Sequence, residues 1–461
     1  MQQSVLLLLA CLGLLTSTLA QSNTAGISMS QSHPQFWAYD SKPTLLLGGS
    51  VEDNLFQIDG LPEHLDQLQS AGGNYVRCTM SSRDVGNVWA FGKTAEGIYD
   101  LETWNEAYWQ RFETFLQETA KRDIVVQLEV WATFDFYREI WDVNPFNPKN
   151  NKNYDAHRSK LDTVVATHPI YTENNFFRSV PSQMSLFRVL EYQQAFVDKL
   201  LEHTLKYDHV LYCMDNETSV TSEWGAFWSE YIKRTAQEQE NKTVYTTEMW
   251  DPWDLNHVAH RSTIDHPEIY DFVDISQNNH NKGQLHWDTG IKQIQRIHQS
   301  EHPRPANNIK VYGANGNKFG HDHQDALERF VRNVLLGAAS TRFHRPPSGL
   351  GLSDTAQTVI QSMRMLTDAY DHFSAEPCMH LLSEREENEA YARAIAGEAY
   401  VVYFPDGGEV TLDLSGLASE RTVRWLNVLT SEWTESKQVG TEDIIPLAPP
   451  QQGNWVALIK N

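Results

Sequence analysis

From Thr44 to about Tyr370 the chain alternates short apolar runs with segments whose apolar positions recur every three to four residues. The runs predict buried strands over 44–49, 74–80, 124–131, 209–214, 243–249, 272–277, 309–313 and 340–344. The periodic segments predict helices over 61–71, 105–121, 186–207, 223–238, 286–299, 325–336 and 355–370, with a short turn near 267–270. In the helix from Asn105, the positions Tyr108, Trp109, Phe112, Phe115 and Leu116 mark one buried face. Gly72-Gly73 and Gly337 follow helices as C-terminal stops. Eight strands, each followed by helical sequence, predict an α/β fold of the (β/α)₈ TIM-barrel type. An open doubly wound sheet is the second choice. It normally carries a glycine-rich phosphate loop after its first strand, and Gly48-Gly49-Ser50 is too thin for one.

After Phe373 the period changes to two. Segments 391–395, 399–404, 409–414, 422–427, 444–447 and 455–459 predict strands, with Pro405-Asp406-Gly407-Gly408 as a tight turn. The domain plan is therefore a leader over 1–20, a barrel over 21–372 and a small antiparallel β-sandwich over 373–461. The connection from Ala132 to Ser185 is long and mixes Phe134, Phe136, Tyr137 and Trp141 with Asn147, Asn150, Asn151 and Asn153. Such a loop suits a sugar-facing rim or a self-packed surface equally.

Composition narrows the class. Residues 1–20 hold an apolar core and end in Thr18-Leu19-Ala20, which predicts a secretory signal and a periplasmic or extracellular protein. Lipid attachment at Cys11 is the weaker reading, because the apolar run before it is short. No other segment approaches the roughly 20 apolar residues of a membrane span. Cys78, Cys213 and Cys378 match no zinc or redox spacing and read as buried small residues. The net charge of −23 argues against nucleic acid and anionic membranes and favours plain solubility. A gathering of His, Arg and Lys between Lys310 and Arg345 still leaves room for an anionic substrate group. Nothing in the pattern specifies an oligomeric state.

The chemistry gathers at the predicted strand ends. The fourth strand stops at Asp215-Asn216-Glu217, where such barrels keep their reactive groups. The other ends bring Arg77 and Arg83; Glu129, Trp131 and Asp135; Glu248, Trp250 and Asp251; Asp274, Gln277 and His280; Tyr312, Asn315, His321 and Asp322; and Arg342, His344 and Arg345. Carboxylates among Arg, Asn, His and Trp suit a carbohydrate hydrolase. Structural roles compete: Glu129 could pair with Arg77, Asp274 could face a helix, and Asp251, before Pro252, reads as a loop start. His321, Asp322 and His323 lack a ligand spacing, so no metal and no cofactor is expected. No Gly-x-Ser-x-Gly elbow occurs.

These residues resemble the clan-A retaining glycoside hydrolases, and within them the apiosidase-like barrels with a C-terminal β domain named for collagen binding. The tail from Ala399 to Ser415, with Arg424-Trp425 and Gly453-Asn454-Trp455, is similar to that domain. The resemblance implies Glu217 as acid/base, Asn216 holding a substrate hydroxyl, and counterparts for Arg77 and His280. The family nucleophile, a glutamate ending strand seven, has no counterpart in Lys310-Val-Tyr-Gly-Ala-Asn-Gly316. Glu248 first and Glu129 second are the candidate replacements, with Asp322 swinging in as another possibility. The expectation is a secreted glycoside hydrolase acting on plant or algal polysaccharide, with Glu217 and Glu248 catalytic. Arg77, Glu129, Trp131, Asn216, Trp250, His280, Tyr312, Asn315 and His344 would bind substrate. The alternative is a non-catalytic carbohydrate-binding protein on the same barrel.

Overall fold

The computed structural model describes residues 26–168, 174–317, 320–415, 421–440 and 442–461. The expected leader, with Cys11, lies outside the described residues. Eight parallel strands form one sheet: β1 (Leu46–Gly49), β2 (Tyr75–Thr79), β3 (Val125–Ala132), β4 (Val210–Asn216), β5 (Thr246–Thr247), β6 (Val273–Asp274), β7 (Ala306–Val311) and β8 (Ser340–Phe343). Their order is β5-β4-β3-β2-β1-β8-β7-β6. The open seam is bridged where the Asp271 amide donates to the Thr246 carbonyl at 2.9 Å. Every strand residue is buried, which is why these segments read as continuous apolar runs rather than alternating ones.

Each strand is followed by a helix: α1 (Leu61–Ser70), α2 (Glu106–Ala120), α3 (Phe187–Thr204), α4 (Ser222–Glu240), α5 (Val258–Ile264), α6 (Gly283–His298), α7 (His323–Leu336) and α8 (Asp354–Thr367). The caps are local. Asn105 accepts from the Ala107 amide at the start of α2, and Asp322 with Asp325 forms a reciprocal capping box on α7. Gly337, at φ 91°, ends α7 in the left-handed region that favours glycine.

Three expectations are corrected. An unexpected fifth helix, Val258–Ile264, precedes the expected turn near 267–270. β6 stops at Asp274 because that carboxylate accepts from the Ser276 amide at 2.8 Å, which starts a 3₁₀ turn over Ser276–His280. β7 begins at Ala306, three residues early, because Asn307 and Asn308 are barrel residues despite their polarity. Asn307 donates to Gln127 at 3.0 Å and Asn308 to Asn333 at 2.8 Å.

The barrel interior is layered. Leu46, Tyr75, Val125, Leu211, Phe272 and Ile309 fill the N-terminal end, plugged by Trp37 from a short meander (Ile27–Met29, Trp37–Tyr39, Lys42–Thr44). Gln127, Asp274 and Asn307 follow, joined by hydrogen bonds. Arg77, Glu129, Lys310 and Arg342 form a charged floor beneath the C-terminal mouth, all buried.

The C-terminal region is the expected sandwich. One sheet holds β9 (Tyr391–Ile395), β10 (Ala399–Phe404), β12 (Arg421–Asn427) and β14 (Trp455–Lys460); β11 (Val410–Asp413) and β13 (Ile444–Leu447) lie in a second. It packs firmly on the barrel: Tyr391, Val401, Leu426 and Leu458 belong to the same core as α7 and α8. Arg393 donates to the Leu335 carbonyl at 3.1 Å, and Ser362 to the Val428 carbonyl at 2.9 Å. Cys78, Cys213 and Cys378 are free and buried. Among the described residues no helix is long and apolar enough to cross a membrane.

Candidate active site

Glu217 stands one residue past β4 with φ 61°, a left-handed backbone that costs a non-glycine residue on the order of 1 kcal/mol. Two bonds prolong the β4–β5 ladder around it. The Thr218 amide donates to the Met249 carbonyl at 2.7 Å, and the Asp251 amide to the Thr218 carbonyl at 3.0 Å. They fix the turn that carries the Glu217 side chain into a cleft of about 340 Å³ at the barrel mouth. Asn216, Lys310, Tyr312 and His344 line its inner wall, with Phe134 and Tyr137 from the long β3–α3 connection on its rim. The Lys310 ammonium donates to Glu217 Oε1 and lies 3.4 Å from Asn216 Oδ1, while the Tyr312 hydroxyl is 3.4 Å from Glu217 Oε1.

A guanidinium cluster borders this wall. Asp53, also lining the cleft, accepts from Arg77 at 2.7 Å, Arg83 at 2.8 Å and Arg345 at 2.9 Å. Burial alone would raise the Asp53 carboxyl, yet Arg77, His344, Arg83 and Arg345 hold it well below the usual range. Arg77 also grips Glu129 through Nε and Nη2. Burial first, then the neighbouring Arg77, pushes Lys310 well below the ordinary lysine range. Contact with the Glu217 carboxylate opposes that push, and we assign the ionised pair: a neutral amine facing a protonated acid would forfeit the attraction at contact.

β5 is where placement departs most from expectation. Side chains alternate along an extended chain, so neighbours face opposite ways. Glu248 points away from the cleft, against Gly225 of α4, and accepts from the hydroxyls of Thr218 and of Tyr270 (2.8 Å). Trp250 points the same way, its indole N–H donating to Thr263 of α5 at 2.8 Å. Met249, between them, joins the barrel-axis core. The alternation therefore turns Asp251 toward the axis, and its charge bears on Tyr137 and Tyr312, both cleft-lining. Burial raises the Asp251 carboxyl to about 6 and that of Glu248 to about 7. The expected second carboxylate, Glu248, is thus one residue out of phase, and Asp251, read as a loop start, follows the inward phase, with its charge acting on the two cleft tyrosines.

The other expected residues divide. Asn216, Tyr312 and His344 are in the cleft with Glu217. Arg77 and Glu129 are fully buried beneath it as an ion pair and do not line it. Trp131 is packed against Phe146, Phe176, Phe196 and Trp228, away from substrate. Asn315 is exposed and accepts from the His323 amide at the start of α7. Asp322 is bound up in the α7 cap and does not swing in. His280 is stacked at 4.0 Å on Trp253 and lies 4.5 Å from Tyr312. Trp253, 53% exposed, was not anticipated; its place before a helix in a polar loop gives no sign of exposure. Among the described residues no cluster of three or more His, Cys, Asp or Glu side chains could hold a metal.

A model described as "Putative collagen-binding domain of a collagenase" matches residues 377–460. No curated protein matches the chain. A glycoside hydrolase family 5 structure from Bacteroides vulgatus is similar at 11% identity and TM-score 0.65, over 95% of this chain and 94% of that one. A glycoside hydrolase family 5 mannosidase from Rhizomucor miehei is similar at 12% identity and TM-score 0.52, over 76% of this chain and 100% of that one. The chain has the (β/α)₈ fold of the glycoside hydrolase family 5 barrels, followed by a β domain of the collagen-binding type.

Proposed function

We propose that this chain is an exported glycoside hydrolase that cleaves O-glycosidic bonds of plant or algal glycans in the Glu217 cleft. The observation that carries the reading is the placement of two acids past the ends of β4 and β5, Glu217 in contact with the Lys310 ammonium and Asp251 raised by burial to about 6. Hydrolysis needs one ionised and one protonated carboxyl. Lys310 beside Glu217 favours the ionised form, which suits a nucleophile or a base that activates water. Burial keeps Asp251 protonated up to about pH 6, which suits the donor to the leaving oxygen. These roles reverse the expectation that Glu217 is the acid. A carboxyl separation of about 5–5.5 Å would make the enzyme retaining and about 6.5–9.5 Å inverting.

A second reading, glycan binding without turnover, is favoured by Lys310, a cation where the resemblance implies a second carboxylate. Incubation with plant and algal oligosaccharides, with products followed by mass spectrometry, separates the two. Hydrolysis predicts cleavage by the wild type and none by Glu217→Gln, with both proteins equally folded. Cleavage by Glu217→Gln at the wild-type rate removes the first reading. Calorimetric binding with no product after long incubation selects the second.

A further inference from the structure

We propose that the cleft is built for an acidic sugar, one carrying a carboxylate or sulfate ester, held by the cations around Asp53 and Glu217. The inference rests on the reading of the cleft as a carbohydrate site and names the class of sugar. Its first support is the wall itself. Arg83, Arg345 and Lys310 line it and pair with Asp53 and Glu217, while Arg77 and Arg342 stand fully buried beneath it beside Asp53 and Glu129. Glu52 and Asp84 reach Arg345 at 2.6 and 3.5 Å, and the exposed Glu139 sits on the rim beside Arg138, so carboxylates equal cations in number here and the support lies in where the cations stand. Glu52 and Asp84 do not serve the inner cations. Arg342 has no carboxylate closer than Asp53 at 3.9 Å and otherwise donates to the Ser50 hydroxyl and the Ile309 carbonyl.

The second support is unused donor capacity facing the cleft. His344 is 7% exposed and lines the cleft, and its Nδ1, a donor or an acceptor according to the tautomer of the neutral ring, has no hydrogen-bond partner among the described residues; Asp53 is 3.8 Å away, beyond bonding range. Arg83 Nε is likewise buried without a partner among those residues. A buried donor left unpaired costs about 1–3 kcal/mol, so the Arg83 Nε–H on this wall points to an acceptor supplied by the ligand. The third support is Arg138, exposed on the cleft rim and stacked 5.2 Å from the Tyr137 ring, positioned to meet an anion as it enters. On a chain of net charge −23 these cations are a local exception, and an anionic ligand has little reason to bind elsewhere on the surface.

The test is isothermal calorimetry on the full chain with three probes of one length: a uronate-containing oligosaccharide, its carboxyl-reduced neutral form, and a sulfated one. The proposal expects one acidic probe to bind at least about tenfold tighter than the neutral form, the value of one charge-assisted contact. The better acidic probe distinguishes carboxylate from sulfate. Arg138→Ala, on an exposed side chain that leaves folding intact, should weaken the acidic probe about threefold to tenfold and leave the neutral one unchanged. Added salt should weaken only the acidic probe. Equal binding of neutral and acidic probes overturns the acidic-sugar proposal and leaves the carbohydrate reading standing. No binding of any probe removes both. Should Arg138→Ala weaken neutral and acidic probes alike, Arg138 is a general contact and the charge assignment fails.

Discussion

Glu248→Gln is the sharpest test of the side-chain directions assigned along β5. Glu248 is fully buried, and its carboxyl rises from 4.5 to about 7 because burial disfavours the charge. The sign follows from linkage. A raised carboxyl pKa means that the folded state holds its proton more tightly than the unfolded one. Below about pH 4.5 both states are protonated and the group contributes nothing. Between 4.5 and 7 stability falls as pH rises, and above 7 the full penalty persists. That shift corresponds to about 3 kcal/mol at pH 8. A carboxamide never ionises and escapes this penalty. Toward the Thr218 and Tyr270 hydroxyls it offers one acceptor and one donor, as the protonated carboxyl does, so turning one hydroxyl to accept costs both alike. Urea denaturation should therefore find the variant about 3 kcal/mol more stable than wild type at pH 8 and close to wild type at pH 4.5. The buried Asp135 and Asp274, each raised to about 6, lower both proteins alike and cancel in the difference. Glycan cleavage should persist, because Glu248 points away from the cleft. A variant less stable by the same amount at both pH values, or one without activity but folded, refutes the placement.

Three further outcomes are expected. Asp251→Asn should lower turnover about 10²- to 10⁴-fold, the contribution of a general acid. Because that acid must be protonated, wild-type activity should fall as pH rises through about 6, and a pH–rate profile of the variant should lack this limb. Gly225→Ala should destabilise by about 3 kcal/mol or more in urea, since its Cβ would fall 1.3 Å from Glu248 Oε2; Glu248→Ala in the same chain should restore part of the loss. Trp253→Ala should leave the melting temperature near wild type and weaken oligosaccharide binding by calorimetry about tenfold, as loss of an aromatic contact surface would.

The barrel was legible because its signal is redundant: eight buried runs and eight amphipathic faces tolerate errors of a few residues at each boundary. Boundaries failed where a polar side chain chose the outcome. Asp274 ended a strand by capping the next turn, and Asn307 and Asn308 extended one by bonding across the barrel. The site was legible where a strand end announced itself, as at Asn216-Glu217. On β5 the two-residue ladder left the inward phase unmarked, and both chosen residues, Glu248 and Trp250, fell on the helix side. Period-two patterns carry this hazard: one step of phase exchanges every inward and outward residue. Trp131 failed differently. A tryptophan at a strand end is ambiguous between sugar platform and core, and here Phe136, Phe146 and Phe176 of the long β3–α3 connection fold back to bury it.

The lysine on β7 bears on whether hydrolysis survives in this barrel. A retaining or inverting mechanism requires two carboxyls that differ in protonation, and it does not specify which strands supply them. With a glutamate on β7, the β4 acid would face a like charge, and mutual repulsion would raise one of the two. With Lys310 there instead, the β4 carboxylate is drawn the other way, toward the ionised form, and the protonated role falls vacant. Asp251 meets that vacancy on two counts: it follows the strand adjacent to β4, joined by its amide to the Thr218 carbonyl, and burial lifts its carboxyl to about 6. On the proposed reading, the missing β7 glutamate and the raised Asp251 are one arrangement, in which Lys310 on β7 pairs with Glu217 and leaves the proton to Asp251.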